Sequence, residues 1–187
     1  MTDTLQLLRR SSTPAKALVE PAPTDAELEK IFEIAMTAPD HGRLRPYRFI
    51  TIRGEDRKEL SAVFANATKR RDPEATEQSI RKQRDKPLRS PLIVVVVAQY
   101  IESPKIPQVE QLLSAGAATH NILLASNALG FGSVWLTGDN AYDQYVRDSL
   151  EVKSNEAIVG FVYLGTDSQS VNRLKKTSLE GRVRRWP

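Results

Sequence analysis

The chain has no cysteine. That absence excludes disulfides, thiolate catalysis and cysteine-ligated metals together. Histidine is nearly absent too, with only His41 and His120, so ligands for a zinc or transition-metal centre are too few. Carboxylates do not gather at metal-ligand spacing. No GxSxG elbow is present, which leaves Ser-His-Asp hydrolysis without support. The longest purely apolar run, "LIVVVVA" at 92–98, falls far short of the roughly 18–20 residues that span a bilayer. The N-terminus, "MTDTLQLLRR", lacks the basic-then-apolar order of a signal peptide. There is no internal repeat and no low-complexity tract. These absences lead to the expectation of a soluble, cytoplasmic protein.

The 187 residues suffice for one well-buried core and are short for two, so residues 1–187 are expected to form a single domain. Lys and Arg total 27 against 23 Asp and Glu, a net charge of +4. That balance is compatible with an anionic ligand and gives little support for nucleic acid. The basic tail (Arg173, Lys175, Lys176, Arg182, Arg184, Arg185) lacks interleaved aromatics and any nucleic-acid motif. It reads as solvated, or as wrapping a partner subunit.

"DTLQLLRRSS" reads as a short N-terminal helix ending in a turn. Residues 11–23 hold three prolines and no periodicity, and read as an extended connection. Thr24 and Glu27 stand at capping-box spacing, followed by Leu28, Ile31, Phe32 and Ala35 on one helical stripe. "RFITIRG" (48–54) reads as a strand, and the charged stretch 55–89 as two surface helices joined near Asp72-Pro73. "PLIVVVVAQ" (91–99) has the composition of a strand covered on both faces. "VEQLLSAGAATHNILLASNALGFG" (109–132) is apolar on almost every face, as a helix buried all round would be. Its small centre, Ala115 to Ala118, suits close approach by another backbone, and such a helix calls for cover by a second subunit. "SVWLTG" (133–138) reads as extended, "DNAYDQYVRDSL" as a helix and "EAIVGFVYLG" (156–165) as a strand. The alternation predicts an α+β or layered α/β sandwich.

Four stretches carry candidate chemistry, each with a plain structural reading beside it. Arg9, Arg10 and Ser11 bring guanidinium forks and a hydroxyl to one turn, a phosphate-binding set. The same cations at a helix C-terminus also simply complement its dipole. The loop "APDHGRLRPYRF" (38–49) collects His41, Arg43, Arg45 and Arg48. It suits an anion or a polar ring edge, and equally a solvated basic loop. In "GFGSVWLTG" (130–138), Trp135 and Leu136 suit the face of an aromatic ring, or a turn into an edge strand; this is not a GxGxxG fingerprint. His120, midway along the apolar helix, reads as a core or interface histidine.

Taken in order, "RRS", "APDH…RPYRF", "PLIVVVVA", "GFGSVW" and "IVGFVYLGT" resemble the nitroreductase family of FMN enzymes. The match is nearest to its small branch with "RRS", "APDH…QPWRF", "GFGxxW" and "VGFxYLGTP", and covers roughly residues 3–167. The resemblance implies a dimeric three-layer sandwich with a mixed central sheet flanked by helices, and FMN at the interface of a homodimer. It implies that NAD(P)H reduces the flavin, which then passes electrons to a nitro-aromatic, quinone or similar small acceptor, with no essential acid–base side chain. Residue by residue, Arg9, Arg10 and Ser11 match phosphate and ribityl contacts. Thr37 and His41 match positions contributed across the interface, and Trp135, Leu136 and Thr137 match the segment lining the flavin. Ala125–Gly130 matches a nicotinamide-nucleotide region.

The chain departs from that pattern at several points. Arg45 stands where Gln is usual, Tyr47 for Trp, Leu136 and Thr37 for arginines, and "LGTD" for "LGTP". Arg45 joins the candidate flavin contacts as a compensating positive group. Two other readings stay open: a redox-silent FMN-binding protein of the same fold, and a basic nucleic-acid-binding module.

Overall fold

A computed structural model of the chain describes Leu8 and residues 10–169 and 178–186. Most of the expected N-terminal helix, with Arg9, and the tail cations Arg173, Lys175 and Lys176 lie outside the described residues.

Five strands form the sheet: β1 (Leu18–Val19), β2 (Tyr47–Arg53), β3 (Leu92–Gln99), β4 (Gly132–Leu136) and β5 (Glu156–Asp167). β5 is the hub. It pairs with β3 along one ladder, with β4 over Phe161–Gly165, and with β1 at Thr166–Asp167; β2 pairs with β3. Every described ladder is antiparallel, where the family resemblance led us to expect a mixed sheet. The valine run of β3 reflects burial on both faces, which an antiparallel sheet between two helical layers produces as well as a parallel one does. Ile93, Val95 and Val97 enter one core and Leu92, Val94 and Val96 the other, as the period of two requires.

Helices α1 (Asp25–Ala35) and α4 (Gln108–Ala128) cover one face. The other is covered by α2 (Asp56–Arg71), α5 (Asp139–Tyr142) and α6 (Gln144–Ser149), with α3 (Glu77–Arg84) packed on α2. This is the expected α+β sandwich. The capping box is realised: Thr24 Oγ1 accepts from Glu27 N, and Glu27 Oε2 from Thr24 N. The helix expected over "DNAYDQYVRDSL" is broken at Asp143, whose carboxylate accepts from Val146 N at 3.1 Å and so starts α6 afresh.

α4 is less buried than its composition suggests. Ala115 and Ala118 pack inside the same chain against Ala38, Tyr47 and Ala98. Their small size therefore serves the chain's own core. The face left open carries Val109, Leu112 and Leu113, the last 67% exposed. His120 is exposed on this helix, not in the core.

Candidate functional site

The outer edge of β4 is where the N-terminal segment lands. Thr13 N donates to Ser133 O at 3.0 Å, and Arg10 Nη2 donates to Ser133 O and Ser11 O, each at 2.9 Å. Gly132 permits this contact: a Cβ there would lie 2.8 Å from Leu18 Cδ2 and 2.9 Å from Thr13 Oγ1. The Arg10 guanidinium is half-buried, and desolvation pulls its pKa down. Among the described residues no carboxylate pairs with it.

Beyond Ser133 the strand ends in a pocket of about 320 Å³. Leu136, Thr137 and Gly138 form one wall, Lys86, Arg89 and Asn140 the polar part, and Phe64, Phe161 and Tyr163 the remainder. Burial is the main cause lowering the Lys86 pKa, and the neighbouring Arg89 cation adds to it. Burial likewise pushes the Tyr163 phenol up to about 12. Arg89 Nε is buried without a hydrogen-bond partner. Neither cation forms an ion pair among the described residues. Asn140 is held in the wall by Arg71 Nη2 at 3.2 Å, while Arg71 Nη1 pairs with Asp143 at 2.6 Å. Two partly buried cations without a direct ion pair, with Asp139 the carboxylate acting on Lys86, beside an apolar strand end, suit an anionic or electron-rich planar ligand.

The pocket holds only part of the segment expected to line a flavin. Leu136 and Thr137 face it, but Trp135 points to the opposite side of the sheet. Its Nε1 donates to Val159 O at 3.3 Å, and its ring borders a second, apolar pocket of about 390 Å³ with Leu112, Leu113, Gly116 and Tyr142. Ala125–Gly130 forms the end of α4 and its exit turn, where Phe131 N donates to Ser126 O at 2.9 Å.

Thr37, His41 and Arg45 lie on a different part of the chain, where α1 gives way to β2. Thr37 Oγ1 donates to Ile34 O at 2.8 Å, and Asn121 Nδ2 of α4 reaches Thr37 Oγ1 at 3.4 Å. His41–Arg43 is one 3-10 turn. Gly42, Arg43 and Arg45 have φ of 71°, 53° and 48°. For the two arginines this left-handed conformation costs about 1–2 kcal/mol each. It is offset locally: Asp40 Oδ2 accepts from Arg45 N at 2.5 Å, and Arg45 O from Tyr47 N at 2.8 Å. The side chains of Thr37, His41 and Arg45 are exposed. None of these bonds links this group to Arg10, Leu136 or Thr137 within one chain. Arg48, counted above among the loop cations, points inward and pairs with Glu156 at 2.8 Å.

The sequence reading missed Lys86 and Arg89. Both sit in "RKQRDKPLRS", where charge is so dense that no spacing singles them out. The one available signal was their position just before a strand buried on both faces.

The family model described as Nitroreductase family matches residues 7–166. The Escherichia coli (strain K12) protein named "Putative NAD(P)H nitroreductase YdjA" is 40% identical over 166 residues, covering 88% of each chain. A Haemophilus influenzae protein named "Putative NAD(P)H nitroreductase" is 35% identical over 171 residues, covering 91% of this chain and 90% of its own. Among solved structures, a nitroreductase-like family protein from Bacillus cereus superposes with a TM-score of 0.83 at 22% identity, covering 100% of this chain and 97% of its own. A Desulfovibrio desulfuricans structure, titled as a putative nitroreductase in complex with FMN, superposes with a TM-score of 0.74 at 22% identity, covering 100% and 98%.

Proposed function

Because the chain belongs to the nitroreductase family, we propose that it is an FMN-dependent oxidoreductase. In this reading NAD(P)H supplies the electrons, and a nitro-aromatic, quinone or similar small acceptor takes them. The observation that carries the reading is the pocket at the end of β4, with Lys86 and Arg89 unpaired beside Leu136 and Thr137.

The residues present fit FMN. Its phosphate calls for a guanidinium and hydroxyl at one turn, as Arg10 and Ser11 provide, with Arg9 added on the family match. Its planar ring calls for an apolar strand end, as Leu136 provides, and its polar edge for N–H donors and positive charge, as Lys86 and Arg89 provide. FMN would supply the hydride and electron chemistry. The chain's own part is to bind and orient the ring, to exclude water with Phe64, Phe161 and Leu136, and to place fixed positive charge where electron density rises on reduction. Arg45 and Arg89 serve as electrostatic groups rather than proton donors.

The functional unit is proposed as a homodimer. Thr37, His41 and Arg45 are separate from the β4 pocket in one chain, and the α4 face of Val109, Leu112 and Leu113 is open. A second copy laid on that face covers the apolar side chains and the Trp135 pocket that they border, and the family match assigns Thr37 and His41 to contacts across that interface. The site is then shared between subunits. The test is steady-state oxidation of NADH and NADPH with a nitro-aromatic and a quinone, using protein reconstituted with FMN. FMN-dependent turnover supports the reading. FMN binding with no turnover makes the protein a redox-silent flavin binder, and overturns it.

A further inference from the structure

His41 stands on a turn that is held at two points. Gly42 has no Cβ, and one placed there would lie 2.5 Å from Ile106 Cδ1, so the turn seats directly on Ile106. Ile106 is fixed in turn by the buried side chain of Gln111, which donates to Ile106 O at 3.2 Å and Ile101 O at 2.8 Å and accepts from Ile101 N at 2.8 Å. The second point is Glu110, in the first turn of α4, whose Oε2 lies 2.7 Å from His41 Nδ1.

A carboxylate has no proton to give, so the hydrogen between these atoms belongs to Nδ1. A neutral imidazole carries one ring proton. With it spent on Glu110, Nε2 is left as a bare lone pair. We propose that Glu110 is a positioning residue of the flavin site: it holds neutral His41 as the Nδ1–H tautomer and so makes Nε2 a hydrogen-bond acceptor. The proposal rests on the reading of His41 as a flavin contact in the partner subunit's site. An acceptor repels a phosphate oxygen and matches a hydroxyl donor, so the class of group it takes is a ribityl hydroxyl rather than the phosphate.

The chain has two histidines, so ring spectra are simple to assign, with His120→Gln as the reference. Long-range proton–nitrogen correlation spectra, followed upward in pH until the ring signals stop moving, report which nitrogen of the neutral ring carries the proton. Wild type and Glu110→Gln, whose amide oxygen still accepts, are expected to show His41 protonated on Nδ1. Glu110→Ala is expected to show it on Nε2. FMN titration followed by flavin fluorescence supplies the second readout. His41→Ala is expected to weaken binding about fivefold to tenfold. Glu110→Ala should weaken it about threefold or more, and should add nothing to His41→Ala in the double variant. Glu110→Gln should stay close to wild type. An Nε2–H tautomer in wild type overturns the proposal. So does unchanged FMN affinity in Glu110→Ala while His41→Ala is weakened. Unchanged affinity in His41→Ala is a different failure: it removes His41 from the flavin site, and the role of Glu110 goes with it.

Discussion

Trp135 lies so close over Gly160 that no side chain fits between them. A Cβ on residue 160 would sit 2.2 Å from the indole Nε1 and 2.6 Å from Cδ1. The same stretch carries the register shift opposite Val96 and Val97, which leaves Val159 without a ladder partner and its carbonyl free for the indole N–H. Gly160→Ala therefore forces Trp135 out of place, at a cost of about 2 kcal/mol or more. For a chain of this size that is a fall in Tm of roughly 4–8 °C. Thermal unfolding checks it; a Tm within a degree of wild type shows that the contact is looser than described.

Glu156 and Arg48 make the chain acid-sensitive in a defined window. The Glu156 carboxylate accepts from Arg48 Nε and Nη2 at 2.9 and 2.8 Å, and from Lys153 N and Gln99 Nε2. Chiefly through Arg48, and against the effect of burial, its pKa falls from 4.5 to about 2. Since the folded value is the lower one, the unfolded chain binds more protons here. The stabilisation is complete above about pH 4.5 and disappears as the pH falls toward about 2, a contribution on the order of 2 kcal/mol. Urea unfolding of wild type and Glu156→Gln between pH 7 and 3 reads this out. Wild type should lose its advantage over the variant on acidification; a constant difference contradicts the assignment.

The open face of α4 predicts the oligomeric state. A stable homodimer buries on the order of 2,000 Å² or more, and Val109, Leu112 and Leu113 are exposed at 60%, 39% and 67% in the single chain. Leu113→Asp places a charge on that face. Sedimentation should show a dimer for wild type at micromolar concentration and a monomer with weakened FMN binding for the variant. A monomeric wild type refutes the shared site.

Arg45 is expected to tune the flavin rather than hold it. Its side chain is exposed in the single chain. Arg45→Gln should therefore leave FMN bound and lower its reduction potential modestly, on the order of 10–20 mV for a two-electron couple. Potentiometric titration decides; an unchanged potential removes Arg45 from the site.

The legible parts of the fold were those written in local pattern. The capping box at Thr24 and Glu27, the two-sided burial of 92–98 and the long apolar helix all have short-range causes, and the structure contains each of them. Strand direction was not local: the ladders join residues far apart in sequence, and burial on both faces does not report direction. Arg48 looked like one more loop cation because its partner is 108 residues away. The opposite placement of Trp135 and Leu136 follows from strand periodicity and was available in principle. Lys86 and Arg89 were hidden by the charge around them, and what distinguishes them is partial burial without a direct ion pair.

The most direct test of the central claim is FMN titration of wild type beside Arg89→Gln and Lys86→Gln, followed by quenching of flavin fluorescence. A charge-assisted hydrogen bond contributes about 1.5–3 kcal/mol. Wild type should therefore bind one FMN per chain, and at least one of the two variants should bind roughly tenfold more weakly with its Tm retained. Wild-type affinity in both variants, or no FMN binding by wild type, would show that the pocket beside Leu136 and Thr137 is not the flavin site.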